Sequence, residues 1–60
     1  MQEINYLEGR YLTTEEVAHL LGKSPAWVRT ARSVLGIPAH KLGKQWRFNE
    51  IELRNWMNRQ

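Results

Sequence analysis

Apolar positions along this chain change their spacing twice, and each change marks a new kind of element. Met1 to Arg10 mix polar, charged and apolar residues without a period, which predicts a flexible N-terminal arm, with Tyr6 and Leu7 able to dock on a core. Thr13 and Glu16 then stand at capping-box spacing, so Thr13 can accept from the Glu16 backbone while the Glu16 carboxylate reaches back. Val17, Leu20 and Leu21 recur at helical spacing until Gly22, giving a first helix over about residues 14 to 21. A second start follows at once. Ser24 is a good N-cap, and Pro25 fits the first helical position, where its missing N–H costs nothing. Val28, Ala31 and Leu35 form the apolar face of this second helix, flanked by Trp27 and Val34, and Gly36 with Pro38 ends it. Only Gly22 and Lys23 separate the two patterns, so the helices must turn sharply on each other, as in a helix-turn-helix.

Beyond Pro38 the spacing shortens to two. His40-Lys41-Leu42 and Gln45-Trp46-Arg47-Phe48 flank Gly43-Lys44, and a glycine at the first central position suits a two-residue hairpin turn. The expected arrangement puts Leu42, Trp46 and Phe48 toward the core, Lys41, Gln45 and Arg47 outward, and Lys44 at the tip. Asn49, with Glu52 three residues later, opens a last helix carrying Ile51, Leu53, Trp56 and Met57 inward. The predicted order is helix, helix, hairpin, helix in one domain over residues 11–60, mostly α with a small β-hairpin.

Size sharpens this picture. A domain of 60 residues buries only about 60% of its unfolded surface, so three tryptophans are a plausible way to fill a small core. The chain has no cysteine, which removes disulfides and thiolate metal sites and fits a reducing cytosol. No apolar run approaches the roughly 18 residues of a membrane span, and no basic-then-apolar leader opens the chain. A cytoplasmic protein with no membrane partner is the expectation.

Charge carries more information than its sum of +3. The acids are Glu3, Glu8, Glu15 and Glu16 at one end and Glu50 and Glu52 at the other. Between them stand Lys23, Arg29, Arg32, Lys41, Lys44 and Arg47, with no carboxylate in the same stretch. One-signed charge of this kind is the footprint of a surface that meets phosphate.

Leu12-Thr13-Thr14-Glu15-Glu16-Val17-Ala18, Leu20-Leu21-Gly22, Ser24-Pro25, Ile37-Pro38, Gly43-Lys44-Gln45-Trp46-Arg47-Phe48, and Leu53 with Trp56 together resemble the excisionase/MerR-type winged helix-turn-helix over about residues 11 to 58. Where relatives often carry two basic residues before a glycine, this chain has Val34-Leu35-Gly36. The resemblance implies a second helix in the DNA major groove and a wing on the neighbouring backbone or minor groove. It also implies phage or plasmid excisionases, transcription regulators, or modules of recombinase and packaging proteins as functions. It lacks the long dimerisation helix of full-length MerR-type regulators, so monomers assembling on DNA are expected.

Helical spacing points to the same face independently. With Val28, Ala31 and Leu35 inward, Ala26, Arg29, Thr30 and Ser33 face outward and Arg32 lies to one side. Arg29 suits a bidentate contact to guanine, Thr30 and Ser33 can bond bases or phosphate, and the helix start at Ser24 and Pro25 can hold a phosphate on its amides. Lys41, Lys44, Gln45 and Arg47 form the wing's contribution. A plainer reading makes these cations a solvated face and a charged hairpin edge that resists aggregation. Trp46 and Trp56 are expected in the core rather than as base-stacking platforms, with Trp27 partly exposed beside the reading face. His19 and His40 are isolated and predict no metal site, and Glu15 with Glu16 is a cap rather than a catalytic pair. No catalytic residue, cofactor or small-molecule substrate is expected. The partner is double-stranded DNA, joined by an integrase or recombinase or by further copies of the chain. A protein-interaction adaptor with this fold is the rival reading, and segregated charge argues against it.

Overall fold

The computed structural model describes residues 9–60; Tyr6, Leu7 and the rest of residues 1–8 of the expected arm lie outside that range. Its elements are β1 (Tyr11–Leu12), α1 (Thr14–Leu21), α2 (Pro25–Val34), β2 (His40–Leu42), β3 (Gln45–Asn49) and α3 (Glu50–Asn58). Gly9 and Arg10 are fastened to the last helix. The Glu50 amide donates to the Arg10 carbonyl at 2.8 Å, and Gly9 packs so close to Ile51 that a Cβ would come within 3.0 Å of its side chain.

Local chemistry sets the helix limits. The Glu16 amide donates to Thr13 Oγ1 at 3.1 Å, and the Thr13 amide donates to the Glu16 carboxylate at 2.8 Å, completing the capping box. At the other end Gly22 takes φ 69°, and the Lys23 amide reaches back to the Ala18 carbonyl at 2.8 Å. That left-handed residue turns the chain within two residues into α2, whose first turn is tied down by the Trp27 amide donating to Ser24 Oγ at 3.0 Å. Asn49 does two jobs. It ends β3, and its buried Oδ1 accepts from the Ile51 and Glu52 amides at 3.0 Å each, starting α3 without a loop.

The sheet holds three strands in the order β1-β3-β2, all antiparallel. The strand β1 was not expected: two residues leave no alternation to read, and only the pairing of Leu12 with Phe48 and Tyr11 with Asn49 defines it. The hairpin turn falls at Gly43-Lys44 as expected, with Gly43 at φ 67°.

Leu12, Val17, Ala18, Val28, Ala31, Ile37, Phe48, Leu53 and Trp56 make the core, with Leu21, Trp27, Ala39 and Trp46 packed around it. Several expected core positions are corrected. Leu20 is 60% exposed, because α1 turns the small Ala18 rather than Leu20 inward. Leu35 is exposed at the end of α2, and buried Ile37 fills the core after Gly36 reverses the chain. Ile51 and Met57 are also exposed, since α3 buries only the stripe of Leu53 and Trp56. Trp56 reaches past this stripe to donate from Nε1 to the Leu35 carbonyl at 3.3 Å, pinning the chain after α2.

The hairpin faces also differ from expectation. A two-residue turn makes Leu42 the partner of Gln45 and Lys41 the partner of Trp46. Directly paired residues share a face of the sheet. Lys41 therefore stands on the side of Trp46 and Phe48, and Leu42 points away with Gln45, 52% exposed.

Candidate nucleic-acid interface

The outer side of α2 presents Ala26, Arg29, Thr30 and Ser33, all exposed and spaced to fall along one side of the helix. Ser24 is exposed too, although its hydroxyl is committed to the cap. Pro25 is half-buried beneath it. Lys23, in the turn that leads into α2, is exposed with its Nζ 5.1 Å from the Trp27 ring. Position in the acid-free stretch was the one signal that could have added Lys23 to the expected surface.

Past Leu12 the chain leaves the sheet to begin α1, so β3 has no strand beside Gln45 to Arg47 on that edge. A cleft of about 300 Å³ opens there, lined by Thr13, Thr14, Glu15, Arg29, Gln45, Trp46 and Arg47. Arg29 of the helix and Arg47 of the wing thus meet across one concavity. Arg47 is half-buried and fixed, donating to the Trp46 carbonyl at 3.0 Å and to Gln45 Oε1 at 2.7 Å. Two of its hydrogen-bonding directions are used, and the remaining guanidinium donors are left for an incoming acceptor. Glu15 also borders the cleft, so the separation of charge along the sequence is incomplete in space. Thr13, Thr14 and Glu15 were read from sequence only as a cap, because nothing local shows that the wing's edge comes to rest beside them.

Lys44 is exposed in the hairpin turn, and Lys41 is exposed with its Nζ 5.6 Å from the Trp46 ring. Arg32 lies differently from the other α2 cation: it is half-buried, with its guanidinium carbon 3.9 Å from the centroid of the same ring.

Among the described residues Glu50 and Arg54 form an ion pair at 3.6 Å, and Glu52 meets the His40 Nε2 at 2.8 Å. Neither involves Lys23, Arg29, Arg32, Lys41, Lys44 or Arg47. Like charges left without carboxylate partners project a field that attracts polyanions. His19 stands exposed, and no group of three or more metal-ligating side chains occurs among the described residues. None of the described helices is long and apolar enough to cross a membrane.

Two helices joined by a glycine turn, a hairpin wing and a basic face without ion pairs among the described residues define a DNA-binding helix-turn-helix of the winged type. The family model for the helix-turn-helix domain matches residues 11–60, and the chain belongs to that family. No curated protein and no solved structure gives a significant match to it.

Proposed function

We propose that this chain reads a specific double-stranded DNA sequence and acts as an excisionase-like architectural factor, directing recombination of a mobile element. The observation that carries this reading is the meeting of Arg29 and Arg47, from helix and wing, in one cleft with no ion pair on either among the described residues. In this reading α2 lies in the major groove with Arg29 toward a guanine edge, where a bidentate contact discriminates by about 1–3 kcal/mol. Thr30 and Ser33 bond bases or phosphates beside it. Lys41, Lys44, Gln45 and Arg47 follow the adjacent backbone, and the protein performs no covalent chemistry.

A single module offers a modest interface, so useful affinity requires several copies on neighbouring sites or a larger recombinase as partner. Its place in the cell is the cytoplasm, on the nucleoid.

Titration of a labelled duplex at several salt concentrations tests DNA binding itself. Neutralising about five phosphates predicts a slope near −4.5 for log affinity against log salt. A protein-interaction adaptor predicts no salt-sensitive binding. Once the preferred site is known, the architectural role predicts cooperative filling of adjacent copies of that site and altered gel mobility of the duplex with the position of the bend. Independent filling of a single site on a straight duplex contradicts that role and leaves a simple regulator.

A further inference from the structure

Arg32 was expected on the DNA-reading surface, yet its head is turned onto the wing. Its guanidinium carbon lies 3.9 Å from the Trp46 ring centroid. Its Nε is buried and has no hydrogen-bond partner among the described residues. A donor buried in that way carries a desolvation cost, which a well-solvated arginine at the surface avoids. What offsets it here is the close approach of the guanidinium over the indole, a contact to which arginine's planar head is better suited than lysine's ammonium.

The position of that contact matters. Direct backbone approach between α2 and the hairpin is slight; α1 packs against both, and side-chain contacts supply the direct link between reading helix and wing. Trp46 sits on β3 next to Arg47, whose guanidinium donates to the Trp46 carbonyl. Lys41 from β2 reaches the same ring at 5.6 Å. The indole is therefore met from α2 by Arg32 and from β2 by Lys41, while the Arg47 head is fastened to the backbone of the same residue.

We propose that Arg32 is a positioning residue: stacked on Trp46, it holds the wing at the angle that lets the wing cations and Arg29 engage one duplex together. The inference rests on the DNA-binding reading above. Its energetic basis is preorganisation, because a wing already set in place loses less freedom on binding.

The test compares duplex affinities of folded protein, with circular dichroism showing that each variant is folded at the temperature of measurement. Arg32→Ala is expected to bind about five- to tenfold more weakly, the scale of one partly desolvated cation–π contact. Arg32→Lys is expected to bind as weakly as Arg32→Ala, since charge alone does not restore the stack. In a background carrying Lys44→Ala and Arg47→Ala, Arg32→Ala is expected to add little, because the wing it positions no longer contributes its cations.

Full rescue by lysine, or an undiminished loss in the wing-neutralised background, overturns the inference and makes Arg32 a direct phosphate contact. Unchanged affinity in Arg32→Ala also overturns it, leaving the stack a matter of stability alone. Lack of salt-sensitive binding by the unmodified chain is a separate result, which sinks the DNA-binding reading itself.

Discussion

The face formed by α2 with the wing and the surface of α3 each carry several charges and use them in opposite ways. On α3, Glu50 faces Arg54 one turn later at 3.6 Å, and Glu52 takes His40 at 2.8 Å. The Glu50 and Arg54 charges cancel locally, and the Glu52 carboxylate is held by the His40 ring. On α2 and the wing, Arg29, Lys44 and Arg47 have no carboxylate partner among the described residues, and the groups that accept from Arg47 are neutral oxygens. Pairing, rather than the amount of charge, separates a scaffold surface from one suited to a polyanion.

Replacing the α2 cation should break that contrast most visibly. Arg29→Ala is expected to remove about 1–3 kcal/mol of discrimination between the preferred duplex and one with the contacted guanine changed. Competition binding with the two duplexes measures this, and the thermal midpoint should hardly move because Arg29 is exposed. Undiminished preference in this variant means that another surface reads the sequence.

Next in size is the junction between the two regions. Asn49 is buried at the end of β3 and accepts two amide hydrogen bonds from the first turn of α3. Asn49→Ala is expected to cost about 1–2 kcal/mol of stability through the lost cap, read as a lower denaturant midpoint. Affinity measured well below the transition should fall far less, if the reading face is independent of how α3 begins.

Most of this framework was legible in the sequence because short signals fixed it locally. Thr13 with Glu16, Gly22, Ser24-Pro25, Gly43-Lys44 and Asn49 each specify a backbone geometry within four residues, and each occupies the place it predicted. The failures were choices among apolar residues that local spacing leaves open. In α1 either Ala18 or Leu20 satisfies a helical stripe, and only contact with the rest of the core decides. On the hairpin, alternation alone permitted Leu42 to share a face with Trp46; the register imposed by the turn forbids it. The two-residue β1 and the cleft beside it depend on chain crossings that no window of sequence contains. The contact of Arg32 with Trp46 was illegible for the same reason, since Trp46 lies on another element.

A smaller effect is expected at the wing tip. Lys44 is exposed and makes no ion pair among the described residues, so Lys44→Ala should leave stability nearly unchanged. If it meets one phosphate, the salt slope becomes shallower by about 0.9, and affinity drops similarly for specific and unrelated duplexes. A sequence-dependent loss would instead place Lys44 against base edges in a groove.

The smallest change should come from the paired side. Arg54 is well exposed and stands four residues after Glu50, an arrangement worth about 0.3–0.5 kcal/mol. Arg54→Ala lowers the net charge by as much as Arg29→Ala or Lys44→Ala does. If total charge governed binding, all three would shift the salt slope alike. If unpaired cations on α2 and the wing govern it, Arg54→Ala leaves the slope where it was and costs only a few tenths of a kcal/mol in stability, seen by chemical denaturation. A slope change in Arg54→Ala matching that of Lys44→Ala would mean that DNA contacts the α3 surface as well, and the contrast between the two regions would fail.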